Sequence, residues 1–512
     1  MKKSAILFVL TFVFFASVFA QVAEQRPITL VDSVHEYDLN PHTASYTYDA
    51  QVLNGLYEGL FSYDPLTYVP TAALCTGYKI SRDKKRWTFT LRSDAKFSDG
   101  SPITANDVKE SWMKLLSTPY APYASMLDCV AGAKEFREGN GKAEAVRIEV
   151  RNDTTLVLHL VEPAAHLASI LCHHSFAVTG KDNVYSGAYK LDFYKNNTLV
   201  MSKNEYYYDA DSVMIPQIVF IQSDDPEENT YMLNTGKADW LLSDSDFYSL
   251  NILNLDTLHL GAQFATSFLF FKTENEPWND PDMRNALLEA IPYDTLRAEH
   301  YIAAKTLIYP LSGYPTVNGI DDYDLEDAKS LMEDARERLG IAQDEIIPLV
   351  FAINDTPLMK SQAKLLHDAW EPLGVELSVQ VTPVSRYYNS IEGWNADLFS
   401  YSWVGDFADP LAFLELFKTG SSLNVAGYSD EKFDSLLLEA QKTDTAEERY
   451  KLLSKAEQFL LDEGMIIPIA HPVSLHALDL EIIGGWTLNA LDIHPLKFLY
   501  IKKKTLNLPN VV

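Results

Sequence analysis

The sequence predicts a mixed α/β protein built as two or three lobes. Three observations carry that reading. The chain has 512 residues and 47% of them are apolar, more than one hydrophobic core ordinarily serves. Segments alternating apolar and polar at every second position interleave with segments of helical period along the whole length. No Gly/Ser- or Pro-rich linker divides them, and no short repeat is present. The lobes are therefore expected to be stitched together by several chain crossings.

The first 20 residues read as an export leader. Lys2 and Lys3 precede an apolar run from Ile6 to Phe19, and Val18-Phe19-Ala20 supplies small residues for cleavage after Ala20. The run is shorter than the ~20 residues of a membrane-spanning helix, although an uncleaved anchor is the alternative. No Cys follows it to carry a lipid. Net charge is −29 for the whole chain and −31 once the two leader lysines are removed. Such a surface excludes nucleic acid and anionic lipid as partners. Cys75, Cys129 and Cys172 are odd in number, which allows one disulfide or none. Cys172-His173-His174 lacks a second pair at zinc-ligand spacing and reads more simply as a buried Cys at a helix end.

Each element has a local reason. Pro27 to Ser33 reads as a strand, and Tyr48 to Phe61 as a helix entering the turn Tyr63-Asp64-Pro65. Arg86 to Arg92 alternates and is a half-buried strand. Ser98-Asp99-Gly100-Ser101-Pro102 is turn chemistry, after which Thr104 caps a helix to about Leu116 with Asp107 as its box partner. Val146 to Val150 and Leu156 to Leu160 alternate. Thr198 to Ser202, Gln217 to Gln222 and Ser267 to Lys272 are strands. Helices are expected at Thr230 to Thr235, ended by Gly236, at Asp282 to Ala290, and at Leu325 to Leu339, closed by Gly340. Met359 to Leu373 is helical, Val375 to Val381 a strand, and Ser429 to Thr443 and Glu447 to Glu463 are amphipathic helices.

One carboxylate stands apart. Asp406 follows the alternating run Phe399, Tyr401, Trp403, a strand with one buried edge. A charge just past such a strand is costly unless something pairs with it. The partner is either internal (a turn to cap, or a nearby Lys or Arg) or a cation from outside, such as an α-amino group.

Several blocks resemble the family 5 extracytoplasmic solute-binding proteins of ABC importers, whose ligands include oligopeptides, dipeptides and nickel. The block Trp87-Thr88-Phe89-Thr90-Leu91-Arg92 continuing through Lys96-Phe97-Ser98-Asp99-Gly100-Ser101-Pro102-Ile103-Thr104-Ala105-Asn106-Asp107-Val108 is the specific match. Leu56-Tyr57-Glu58-Gly59-Leu60-Phe61, Ser186-Gly187-Ala188-Tyr189, Asn204-Glu205-Tyr206-Tyr207, Gly236-Lys237-Ala238-Asp239, the Arg284 to Ala290 helix and Gly484-Gly485-Trp486 follow in order. Trp403-Val404-Gly405-Asp406-Phe407-Ala408-Asp409-Pro410 is most similar to the oligopeptide-binding branch.

The resemblance implies a two-lobe periplasmic-binding-protein fold of the class II type, α/β, with an extra subdomain in the first lobe. It places a signal peptide at 1–20, lobe I at 21–63, 186–273 and 475–512, the extra subdomain at 64–185, and lobe II at 274–474. The hinge falls near Phe271 and Ser474. It implies a monomer that captures oligopeptides outside the cytoplasm and delivers them to a permease and ATPase complex, with no cofactor and no metal. Ser45-Tyr46-Thr47 and Ser402-Trp403-Val404 become strand edges that hydrogen-bond an extended guest, Asp406 pairs with its α-ammonium, and Asn354 is a retained site position. The carboxylate end departs from the pattern. Two expected arginines correspond to Ile391 and Ser400 and an expected histidine to Met359, with Arg386 and Lys360 as nearby substitutes.

Other ligands fit the resemblance less well. His471 and His476 lie near the second hinge crossing without a spaced cluster for nickel or haem, and a sugar site has no use for a buried acid. A hydrolase would read Asp406 and Asp409 as an acid/base pair. The chain lacks Gly-x-Ser-x-Gly, His-Glu-x-x-His and phosphate-loop motifs, and Asp409-Pro410 is more simply a turn.

Overall fold

The computed structural model describes residues 25–242, 251–387, 391, 393–443 and 445–502. The expected leader at 1–20 lies outside the described residues. Three sheets organise the chain. A seven-stranded mixed sheet runs in the order Leu258–Ala262, Val473–Leu478, Trp240–Leu241, Ile28–Asp32, Gln217–Gln222, Thr198–Lys203, Tyr189–Lys195. A five-stranded sheet runs Val375–Thr382, Ile347–Asn354, Leu398–Val404, Ala265–Phe271, Ile466–Ala470. A four-stranded antiparallel sheet runs Cys75–Ile80, Arg86–Leu91, Thr155–His159, Ile148–Asn152. No helix among the described residues is long and apolar enough to cross a membrane.

The local signals act as the physics of caps and periods requires. The helix Ala105–Ser117 starts where Asp107 accepts from both the backbone N–H and the hydroxyl of Thr104, at 2.7 and 2.6 Å. Val108, Trp112 and Leu115 share its buried face, and Trp112 Nε1 donates to the Phe176 carbonyl. The helix Leu325–Leu339 is capped by Asp324 and stops at Gly340, whose φ of 74° suits glycine. The alternating run Arg86–Leu91 buries Trp87, Phe89 and Leu91.

Several expected bounds move. The helix expected over Tyr48 to Phe61 spans Thr47–Leu56, and Phe61–Tyr63 is a strand paired with Pro70–Ala72. The helix ends there because the carbonyl of Leu56 accepts from Gly187 N–H and the next residue, Tyr57, is extended. Gly187 meets the helix end so closely that a Cβ would lie 2.4 Å from the Gly55 carbonyl oxygen. The run expected at Val146 to Val150 is a strand two residues later, where Ile148–Asn152 pairs with Thr155–His159. The three cysteines are free thiols, and Cys172 does lie just past the helix Leu167–Ile170.

The chain passes between the two large sheets at two adjacent places. One is Gln263-Phe264, between Leu258–Ala262 and Ala265–Phe271. The other is His471-Pro472, between Ile466–Ala470 and Val473–Leu478. Gln263 N–H donates to the Pro472 carbonyl at 2.9 Å, joining the passages. The first passage lies before Phe271 because all of Ala265–Phe271 is hydrogen-bonded inside the five-stranded sheet.

Arg284, in the helix Pro281–Glu289, is buried and serves as an internal clamp. Its guanidinium donates to the carbonyls of Trp278 (2.8 Å) and Glu463 (3.0 and 2.6 Å). Arg284→Met should leave both carbonyls without donors and cost about 2–4 kcal/mol in urea unfolding; a loss under about 0.5 kcal/mol would show that solvent reaches them.

Candidate functional site

The strand Leu398–Val404 is held on one side along its whole length. It pairs with Ala265–Phe271 from Phe271↔Leu398 to Ala265↔Val404. On its other side Ile347–Asn354 pairs only with Leu398 and Phe399. At Ser400 the Tyr387 hydroxyl takes over, within 2.9 Å of the backbone nitrogen and 2.8 Å of the carbonyl oxygen. Beyond that, no strand pairs with Ser402 to Val404 on this side among the described residues. An extended guest could add there.

Past the strand, Gly405 makes a tight turn against the first inter-sheet passage. Its N–H donates to the Phe264 carbonyl at 2.7 Å, and a Cβ would lie 2.5 Å from the Phe264 ring. Trp403 is buried and its Nε1 donates to the Ala412 carbonyl. These contacts fix where Asp406 emerges.

The two acids of this turn have different fates. Asp409 forms an ion pair with buried Arg449 and accepts from Leu411 N–H at 2.9 Å, so it is a structural carboxylate. Asp406 has no such cation among the ion pairs of the described residues. Its Oδ1 accepts from the Tyr123 hydroxyl at 2.9 Å and lies 3.6 Å from His173 Nε2. Its Oδ2 is buried with no hydrogen-bond partner. His173 Nδ1 accepts from the Ser175 N–H at 3.3 Å, which leaves the ring proton on Nε2, facing Asp406. Burial holds His173 neutral by lowering its pKa well below the usual range. Burial also raises the Asp406 carboxyl to about 7, with the Tyr123 hydrogen bond opposing part of that shift.

The carboxylate faces a cavity of about 110 Å³ made by five separate stretches of chain. Ser402, Trp403, Val404 and Gly405 form one wall. Ser45, Tyr46, Thr47 and Ala50 form a second, and Tyr123, His173 and His174 a third, with Leu491 and Ile493 below. The expected residues Ser45, Tyr46, Thr47, Ser402, Trp403, Val404 and Asp406 therefore meet at one place.

Two expectations change in detail. Ser45-Tyr46-Thr47 is not a sheet edge. Tyr46 is extended (φ −98°, ψ 147°) but Thr47 already begins the helix Thr47–Leu56, and the Tyr46 carbonyl accepts from Ala50 N–H. Asn354 lies away from this cavity, at the end of Ile347–Asn354, where its Oδ1 accepts from the Thr356 hydroxyl. Ile391 and Ser400 are buried, and Met359 lies in the capped first turn of Pro357–Trp370. Neither substitute cation lines the cavity: Lys360 pairs with Asp355 at the surface and Arg386 is exposed.

Tyr123, His173 and His174 were not expected at the site. The His-His pair was visible in sequence, but its spacing spoke only about metals. Tyr123 carried no signal, because 283 positions separate it from Asp406.

A second polar cluster sits at the inter-sheet passages. The ligand-type atoms of His476, Asp492 and His494 lie within 4.8 Å of one another. Trp240 Nε1 donates to His476 Nδ1 at 3.2 Å, so His476 Nε2 bears the proton and donates to Asp492 Oδ1 at 2.7 Å. Gln263 Nε2 donates to the other Asp492 oxygen at 2.9 Å. Hydrogen bonds thus occupy the His476 nitrogens that a metal would need, and the cluster braces the first passage.

Comparison with known proteins agrees with this architecture. Residues 69–424 match the family described as bacterial extracellular solute-binding proteins, family 5 (middle). The chain is 26% identical over 520 residues to the periplasmic oligopeptide-binding protein OppA of Escherichia coli, covering 94% of each. Its structure is similar to that of the murein tripeptide binding protein MppA of Escherichia coli, with TM-score 0.81 at 22% identity, covering 94% of this chain and all of the other. It is also similar to Haemophilus influenzae OppA in complex with RPPGFSPFR, with TM-score 0.80 at 21% identity and the same coverage.

Asp406 makes the ligand-free fold pH-sensitive. A carboxyl whose folded pKa lies above its unfolded value near 3.9 costs increasing stability as pH rises from about 4 to about 7, and a constant amount above. Asp406→Asn should therefore be more stable than the parent near pH 8, by an amount that shrinks toward pH 4, in thermal melts of peptide-free protein. A difference independent of pH would show that Asp406 is already ionised without cost.

Proposed function

The chain belongs to the bacterial extracellular solute-binding proteins of family 5, and we propose that it captures peptides in extended form between two closing lobes for delivery to an ABC-importer permease and its ATPase. The observation that carries this reading is the buried Oδ2 of Asp406, without a hydrogen-bond partner among the described residues, beside the edge of Ser402 to Val404 that no described strand pairs with on that side. A peptide supplies both missing partners. Its α-ammonium pairs with the carboxylate, and its backbone continues the sheet. The oligopeptide and tripeptide ligands named for its relatives support the same class. We take the lobes to be built on the seven- and five-stranded sheets, with residues 64–185 as an added subdomain. We take the leader at 1–20 to be cleaved on export.

On this reading the ligand is gripped asymmetrically. At the amine end Asp406 waits uncompensated. At the other end, the positions Ile391 and Ser400 are buried and carry no charge, so the guest's carboxylate meets water or a mobile cation. The protein performs no chemistry on the guest: Asp409, the second acid a hydrolase would need, is committed to Arg449.

Five measurements test this. Mild denaturation of protein purified from its host, followed by mass spectrometry, should release peptides; a metal chelate or sugar instead would overturn the class. A free-amine peptide should bind ~100-fold or more tightly than its acetylated form, since a buried charge left unpaired costs about 3–5 kcal/mol. Asp406→Asn should remove that preference, and unchanged affinity would sink the assignment. A C-terminal amide should bind about as well as the acid, and a large loss would reveal a cation at that end. Affinity for free-amine peptides should weaken about tenfold per pH unit below about 7, because the bound state requires the carboxylate that empty Asp406 gives up.

A further inference from the structure

Tyr123 and Asp406 come from segments that carry different sheets, and Tyr123 shares one buried apolar cluster with Trp403 and Phe407, which flank Asp406. Asp406 follows the central region of the five-stranded sheet. Tyr123 precedes the short 3-10 turn Ala124–Leu127, in the stretch that carries the four-stranded sheet. The large sheets are connected covalently only through the paired passages Gln263-Phe264 and His471-Pro472 among the described residues. Contacts away from those passages therefore decide how firmly the bodies close.

Ser422 grips the chain on both sides of Tyr123. Its hydroxyl donates to the Pro122 carbonyl at 2.6 Å and lies 2.9 Å from the Ser125 hydroxyl. Its N–H donates to Ser125 Oγ at 3.1 Å, and Ser125 N–H donates back to Ser422 Oγ at 3.3 Å. Ser125 is buried. Pro122 immediately precedes Tyr123 and Ser125 is two residues beyond it, so the clasp fixes the backbone from which the Tyr123 hydroxyl reaches Asp406.

We propose that Ser422 and Ser125 form a clasp that latches the closed protein and positions Tyr123 over the amine-binding carboxylate. Ser422 is a positioning residue: it touches no ligand and acts through Tyr123. Satisfying these groups locally would have required only water, as on any exposed turn. Instead each serine completes the other across 297 residues of sequence. The flanking contacts that join the same bodies, Arg137 to the Gly420 carbonyl at 3.2 Å and His166 Nδ1 to Gln441 at 2.6 Å, remain when Ser422 is changed. Loss of the clasp should therefore loosen closure without unfolding the protein.

The role rests on the peptide-capture reading, but its first test does not. Small-angle scattering of the full-length protein without peptide should give a larger radius of gyration for Ser422→Ala than for the parent, with Ser422→Thr, which keeps the hydroxyl, returning to the parent value. Equal radii for the parent and Ser422→Ala would overturn the clasp whatever the ligand proves to be. If peptides bind, release from Ser422→Ala should be about tenfold faster, as expected for two neutral hydrogen bonds lost. The preference for free amine over acetylated peptide should fall with it, because Tyr123 is no longer held on Asp406. Off-rates within twofold of the parent would also overturn it. Failure of the parent to bind any peptide would strike the functional reading alone and leave the scattering comparison standing.

Discussion

The buried carboxylate of Asp406 is the constraint around which the site is arranged. One oxygen is held by Tyr123 and faced by a neutral His173, while the other has no hydrogen-bond partner among the described residues. An isolated fold gains nothing from such an oxygen, since desolvating an acceptor without a donor costs free energy. The surroundings show how the cost is tolerated. Gly405 packs on Phe264 and Trp403 is tied to Ala412, which fixes the backbone just before the acid. Burial then lifts its pKa to about 7, and a proton can occupy the place that a guest ammonium would take.

The position of the carboxylate relative to the inter-sheet passages matters equally. Gly405 N–H donates to the carbonyl of Phe264, which lies in the first passage. Gln263 beside it is bonded to Asp492, itself held by His476. The site is thus wired to the place where the two large sheets join. Tyr123 and Asp406 come from segments that carry different sheets, so rotation about that place would alter their contact. On the proposed reading, capture and closure would be one event, with the guest's amine and the serine clasp stabilising the same arrangement.

The carboxylate end tells the opposite story. Ser400 could have carried a cation into the cleft, but its N–H donates to the Tyr387 hydroxyl oxygen, whose single proton lies between the Ser400 and Ala352 carbonyls, each 2.8 Å away. A ring and a hydroxyl complete the sheet where a guanidinium would have needed water or an acid. On the proposed reading, binding energy is concentrated at one terminus of the guest, which suits guests that vary in length and side chain.

Much of this was legible in the sequence because it depends on neighbours a few residues apart. The helix Ala105–Ser117 follows from Thr104, Asp107 and a Val108-Trp112-Leu115 face, and the end of Leu325–Leu339 from Gly340. The strand before Asp406 follows from the alternation of Phe399, Tyr401 and Trp403. Even the question posed by Asp406 could be asked, since a charge after an apolar strand needs a partner wherever it lies. The answer could not. Tyr123, His173 and the Ser125–Ser422 clasp reach the site from positions hundreds of residues away, and side-chain chemistry alone carries no record of such a meeting. Likewise Thr47, which the resemblance places on a strand edge, begins the helix Thr47–Leu56, whose first turn forms a wall of the cavity. Local period and caps determined the elements; only the folding of distant segments onto one another decided which groups would share a buried carboxylate, and which of its oxygens would be left open.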